Sequence, residues 1–185
     1  MRQHICRSIA VLTLLFASAL SLAANVQTDY DTNQDFSRLH SYQWQPQSDN
    51  IDPTFAQLTD ASVKDTFSWS IERQFALATD KAPPDVLVRY YIKNVKKLVD
   101  DRPRLGIGMG GFGNNTGGGV SFSIPLGGND LDQNAQIVID IIEPKTERLL
   151  WRGSLVTGMS STSTQTNQKQ LQKAADEIFK QFPPR

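Results

Sequence analysis

The sequence predicts an α+β fold: a mainly antiparallel sheet of about five to six strands with two helices packed on one face, in the order β-β-α-β-β-β-β-α. Three observations predict it. Short runs in which apolar and polar residues alternate recur along the chain. Two longer segments carry apolar residues at helical spacing. The two clearest alternating runs flank Glu143-Pro144-Lys145-Thr146-Glu147, whose proline presets a turn between paired strands.

The elements follow in order. Val26 to Asp31 and Ser41 to Gln45 both alternate, and Thr32-Asn33-Gln34 between them suits a turn. Asp52-Pro53 opens a polar segment in which Val63, Phe67, Ile71, Phe75 and Ala78 recur at helical spacing. Asp52 or Thr54 is placed to cap this helix, which ends before Pro83-Pro84. Asp85 to Lys93 is rich in β-branched and aromatic residues, puts Val86, Val88, Tyr90 and Ile92 on one face, and continues toward Val99 as a strand. A glycine-rich loop over residues 105–119 precedes a short alternating strand, Val120 to Pro125. The hairpin runs from Ala135 to Ile142 and from Arg148 to Thr157. After a Ser/Thr-rich linker, Leu171, Ala174, Ala175, Ile178, Phe179 and Phe182 draw one apolar stripe of a closing helix, stopped by Pro183-Pro184. Hairpins join sequence neighbours in such a sheet, and only the helices need long crossings.

The first 24 residues read as an address. Arg2 and Arg7 precede an apolar run, Ile9 to Leu22, that ends in small residues, the pattern of a secretory signal peptide cut after Ala23 or Ala24. The only cysteine, Cys6, lies before that run, so no acceptor for a lipid anchor stands at the exit and no disulfide is available to the exported chain. What remains, residues 25–185, fits a single domain with a soluble periplasmic location, with peripheral association to the envelope as an added option. It holds 17 basic against 19 acidic residues, a net charge of −2, which argues against nucleic acid as a partner. After the signal no apolar run approaches the roughly 20 residues of a spanning helix.

Reaction chemistry finds little material. His40 is the one histidine after the signal, too little for a hydrolytic triad or a multi-histidine metal site. Asp29, Asp31, Asn33 and Asp35 place oxygen donors at alternate positions, as in the first half of a calcium loop. Gln34 stands where that loop needs glycine and His40 where it needs a bidentate glutamate, so these carboxylates cap a strand turn or, at most, form an open, weak ion site. Gly106, Gly108 and Gly111 match a dinucleotide pattern, but the glycines that follow cannot supply the required helix. No cofactor is expected. The glycine loop reads as a mobile hairpin loop or as an arm that orders on a partner, with Met109 and Phe112 as its anchors.

Trp44 and Trp151 belong in or near the core, whereas Trp69 falls off the main stripe of its helix and either covers the sheet edge or faces a partner. Alternation turns Arg152 away from whatever Trp151 packs on. With helices on one face only, Arg152, Asp140, Arg89 and Tyr91 share the other, a place for a ligand or partner if it is more than a solvated surface.

Tyr30-Asp31, Asp35-Phe36-Ser37, Tyr42 and Trp44, then Pro84-Asp85-Val86-Leu87-Val88, Leu150-Trp151-Arg152-Gly153 and Phe182-Pro183-Pro184 together resemble the signature of the DUF4136 family of exported bacterial proteins. Many such proteins are predicted envelope lipoproteins, and the absent cysteine departs from that pattern, as does Glu143 where aspartate is more usual before the hairpin turn. The resemblance implies a location and a fold and no activity. The function expected is a non-enzymatic envelope binding or assembly module with a protein partner. A periplasmic small-molecule or ion binder, or a hydrolase built on Asp29, Asp31 and Asp35 with His40, is the alternative.

Overall fold

The computed structural model of the chain describes residues 26–47, 49–79, 82–95 and 131–184. The signal segment, the glycine loop with Met109 and Phe112, the strand expected at 120–125 and the continuation toward Val99 lie outside the described residues.

Six strands form one mixed, mostly antiparallel sheet: β1 (Gln27–Tyr30), β2 (Ser41–Trp44), β3 (Ala76–Leu77), β4 (Val86–Asn94), β5 (Gln133–Ile142) and β6 (Leu149–Met159). Among the described residues two long helices, α1 (Asp60–Ile71) and α2 (Thr164–Phe179), supply the second layer. The spatial order is β1-β6-β5-β4-β2-β3. Antiparallel pairing joins β1 to β6, β6 to β5 and β5 to β4, while β2 runs parallel to both β4 and β3.

The long central strands form because their two faces differ. Val86, Val88, Tyr90 and Ile92 of β4 and Ala135, Ile137, Ile139 and Ile141 of β5 are fully buried on the helix-bearing face, each large side chain contributing about 1.5–3 kcal/mol by leaving water. The hairpin between β5 and β6 closes through Glu143 N–H to Arg148 C=O at 2.9 Å, with Glu147 in the left-handed region at φ 55°. From α2, Leu171, Ala174, Ala175, Ile178 and Phe179 meet this face, as the apolar stripe predicts, whereas the helix ends at Phe179 and Phe182, the last residue of that stripe, is buried from beyond it; from α1 come Val63, Phe67 and Ile71. Trp151 is fully buried, stacked on Phe179 at 6.0 Å and edge-on to Phe182 at 5.4 Å.

Three local expectations are corrected. The first two strands, adjacent in sequence, do not pair. Asp31 does make the expected turn, accepting from Gln34 N–H at 3.1 Å and from Asn33 N–H at 2.9 Å. The chain then crosses the end of the sheet, with Phe36 packed edge-on between Tyr30 and Phe182. β2 therefore lands four strand spacings from β1, about 19 Å away and within reach of the ten residues Asp31 to His40.

The first helix is shorter than its periodicity suggests. Thr59 caps α1 in a reciprocal box with Ser62, whereas Asp52 caps a separate 3₁₀ turn, Pro53–Phe55. At the other end, Phe75 is buried beyond the helix, and β3 follows because Ala76 and Ala78 N–H groups donate to His40 and Tyr42 carbonyls, both at 2.7 Å. A two-residue strand held by a tertiary edge leaves no periodic signal in sequence.

Candidate functional site

The helix-bearing face is consumed by the core, which leaves the opposite face of the sheet as the place to look. Alternation along β4, β5 and β6 puts a different set of residues there, and the register arranges them in rows. Leu87, Ile142 and Leu149 form one apolar row. Next come Arg89, Asp140 and Arg152, extended onto β1 by Asp29. A third row holds Tyr91, Val138, Ser154 and Gln27, and a fourth holds Lys93, Gln136 and Val156. A charged row thus lies beside an apolar row on one side and a row led by Tyr91 and Val138 on the other.

The centre of the charged row is Asp140, with no exposed surface. Arg152 grips it in fork geometry, Nε donating to Oδ1 at 2.6 Å and Nη2 to Oδ2 at 2.7 Å. Arg89 approaches from the other side, Nη2 donating to Oδ2 at 3.1 Å and Nε at 3.4 Å. A buried carboxylate is tolerated only when paired and hydrogen-bonded, and here two cations share one anion. The hydrogen bonds to Asp140 hold the Arg152 guanidinium above its ordinary pKa against the opposing cost of burial, so it stays charged at any accessible pH. Both oxygens of Asp140 are occupied by guanidinium donors, which leaves this carboxylate poorly placed to act as a base.

Tyr91 extends the arrangement. Its ring lies between Arg89, 5.5 Å from the ring centroid, and Lys93, at 5.6 Å. Lys93 also donates to the Asp49 carbonyl at 2.9 Å. Gln45 continues the line past Arg89, its N–H bound to Val88 C=O at 2.9 Å, and its side-chain Oε1 is buried without a hydrogen-bond partner. Sequence reasoning placed Arg89, Tyr91, Asp140 and Arg152 on one face, and the structure brings all four together. It missed Lys93, which the same alternation marks, and Gln45, which only the β2–β4 register reveals.

The other residues singled out in the sequence disperse. Asp31 pairs with Arg148, and Asp35 caps the 3₁₀ turn Phe36–Arg38. The Ser37 hydroxyl, and then its N–H, lower the Asp35 pKa. Asp29 stands opposite Arg152. His40 is exposed, and its backbone N–H donates to Asp85 at 2.9 Å. Among the described residues no group of three or more His, Cys, Asp or Glu side chains is placed to hold a metal ion.

On the helix layer, Trp69 is 72% exposed and so does not cover the sheet edge. Beside α1 and α2, Arg73, Lys169, Gln172, Lys173, Asp176, Glu177 and Lys180 line a shallow groove of about 380 Å³. Within it Arg73 pairs with Asp176 at 3.1 Å, and the buried Ser70 hydroxyl also donates to Asp176, at 2.6 Å. Trp44 is half-buried, edge-on to Tyr42 and Tyr90, with Lys64 over its ring at 5.9 Å.

A two-layer α+β domain with one helix-covered sheet face and one face carrying a guanidinium–carboxylate row is the class these observations define. The chain belongs to the DUF4136 family: the family model described as "Domain of unknown function (DUF4136)" matches residues 26–184. Among solved structures, a PDZ domain protein from Parabacteroides distasonis is similar at TM-score 0.50 and 13% identity, over 88% of this chain and 36% of that one. This chain thus spans about a third of that protein, and the likeness is one of fold. A DUF4136 family protein from Bacteroides thetaiotaomicron matches at TM-score 0.46 and 14% identity, over 87% of this chain and 96% of that one. The PelC dodecamer from Paraburkholderia phytofirmans follows at TM-score 0.42 and 7% identity, with coverages of 83% and 97%. No curated protein matches the chain in sequence.

Proposed function

We propose that this protein is a non-enzymatic binding or assembly module of the bacterial envelope, exported to the periplasm, that contacts a protein partner through the sheet face opposite α1 and α2. The observation that carries the reading is the row of Arg89, Asp140 and Arg152 set among the partly exposed Leu87, Tyr91 and Val138. Apolar side chains around fixed guanidinium groups make a surface on which complementary contacts confer specificity. Arg89 and Arg152 lock Asp140 in place, so the row serves recognition better than acid–base chemistry. Export is supported by the charged, apolar and small-residue pattern of residues 1–24. Among the described residues no helix is long and apolar enough to cross a membrane.

The test is photocrosslinking in living cells from a benzoylphenylalanine introduced at Tyr91, with one at Lys145 in the hairpin turn as the control. A discrete adduct from position 91 and none from 145 is expected. A blank at 91, in a variant that accumulates normally, contradicts the reading.

A further inference from the structure

The outer side of the helix layer combines an exposed indole with a stripe of exposed cations. Among the described residues the large apolar side chains left in solvent are Trp69 and Leu77, and Trp69, on α1, is the more exposed of the two. Four residues on stands Arg73, its side chain 58% exposed. The helical turn continues past α1, Phe75 N–H reaching Ile71 C=O at 3.0 Å, so Trp69 and Arg73 share one flank, and Arg73 reaches α2 through Asp176. On α2, Lys169, Lys173 and Lys180 recur at helical spacing opposite the buried Leu171, Ala174, Ala175 and Ile178, and all three are exposed.

Charge on this face is not balanced. Arg73, Lys169, Lys173 and Lys180 line the groove together with only two carboxylates, Asp176 and Glu177. Arg73 pairs with Asp176, and Lys180 with Glu177 at 2.6 Å. Lys169 and Lys173, one turn apart, have no ion-pair partner among the described residues. The remaining acidic side chains of α1 and its end lie to the side: Glu72 turns toward Tyr42, whose hydroxyl donates to it at 3.4 Å, and Asp65 stands one turn before Trp69. An exposed indole beside unpaired ammonium groups on long apolar stems suits a lipid–water boundary, where the ring sits among headgroups and the cations meet phosphates.

From this we infer that the outer face of α1 and α2 docks on an anionic phospholipid surface, with Trp69 entering the headgroup layer and Lys169 and Lys173 supplying most of the electrostatic attraction. Such attachment is weak and reversible, because one indole and a few surface cations hold far less firmly than a spanning helix. The inference goes beyond the docking proposed for the sheet. The helices cover one face of the sheet, so a membrane beneath them leaves Tyr91 on the far side.

The experiment is vesicle flotation of the exported, processed protein at low salt. One set of vesicles contains phosphatidylglycerol and phosphatidylethanolamine in equal parts, and the other is phosphatidylcholine alone. Flotation with the anionic vesicles only is expected, reversed as salt rises. A blue shift of tryptophan emission is expected with it, and is expected to vanish in Trp69→Ser. The double variant Lys169→Ala and Lys173→Ala is expected to lower the partition constant at least about tenfold, while Lys145→Ala in the hairpin turn leaves it unchanged. Asp65→Asn is expected to raise it. Circular dichroism checks that each variant is folded. No flotation with anionic vesicles, equal flotation with both kinds, or flotation that the Trp69 and double-lysine variants leave intact overturns the inference. A photoadduct from position 69 to a protein, without vesicle binding, overturns it in favour of a protein partner on this face.

Discussion

Asp140 and Arg152 face each other across the β5–β6 hairpin and share two hydrogen bonds of 2.6 and 2.7 Å, with the carboxylate wholly out of water. A buried ion pair is a poor source of stability relative to apolar residues of the same size, but breaking it by halves is costly. Asp140→Asn leaves two guanidinium groups without a counter-charge and is expected to destabilise the fold by about 3 kcal/mol, read by chemical denaturation. The triple replacement Arg89→Met, Asp140→Leu and Arg152→Met is expected to match or exceed the wild type in the same assay. A triple variant as unstable as the single one would assign the row to the fold itself.

Gly153, in the strand beside Trp151, is fixed by crowding. A Cβ there would lie 2.3 Å from the Trp151 ring and 2.6 Å from Ile178 Cγ2, and neither can retreat within a packed core. Gly153→Ala is expected to cost about 1–3 kcal/mol by overpacking, with loss of near-ultraviolet Trp151 signal as the second readout.

Trp69, by contrast, contributes exposed surface and little packing. Trp69→Ser is expected to change stability by less than about 0.5 kcal/mol, measured by thermal unfolding. A larger loss would show that the indole covers part of the core.

Asp85 ties the start of β4 to β2. It accepts from His40 N–H at 2.9 Å and from the Ser41 N–H and hydroxyl, both at 3.0 Å. The His40 N–H, helped by the Ser41 hydroxyl and N–H, outweighs the cost of burial and lowers the Asp85 pKa from 3.8. A carboxylate with a depressed folded-state pKa adds stability above its unfolded pKa, and that stability is lost as pH falls through the folded value. The stability difference between wild type and Asp85→Asn is therefore expected to be constant from about pH 5 to 8 and to shrink below about pH 4. A difference that stays flat through acid would mean that the carboxylate is not the group being read.

The faces of β4, β5 and β6 were legible in the sequence because alternation needs no knowledge of partners: Arg89, Tyr91, Asp140 and Arg152 fall opposite the buried set by counting alone. Their assembly into one row depends on register, which the strands acquire only in the sheet. The same limit hid the separation of β1 from β2, since Thr32-Asn33-Gln34 does turn the chain, and only the packing of Phe36 against Tyr30 and Phe182 carries it across the sheet end. β3 was invisible because two residues make no period. Gly153 stood out in the Leu150-Trp151-Arg152-Gly153 run, but its necessity comes from Ile178 on a helix 25 residues away.

The most direct measurement is the yield of the Tyr91 photoadduct in cells, compared between the wild type and the apolar triple variant of Arg89, Asp140 and Arg152 at equal folded protein levels. A stable triple variant that forms no adduct is the expected result. An adduct of unchanged identity and yield would contradict the account, because the partner would then bind without the guanidinium groups.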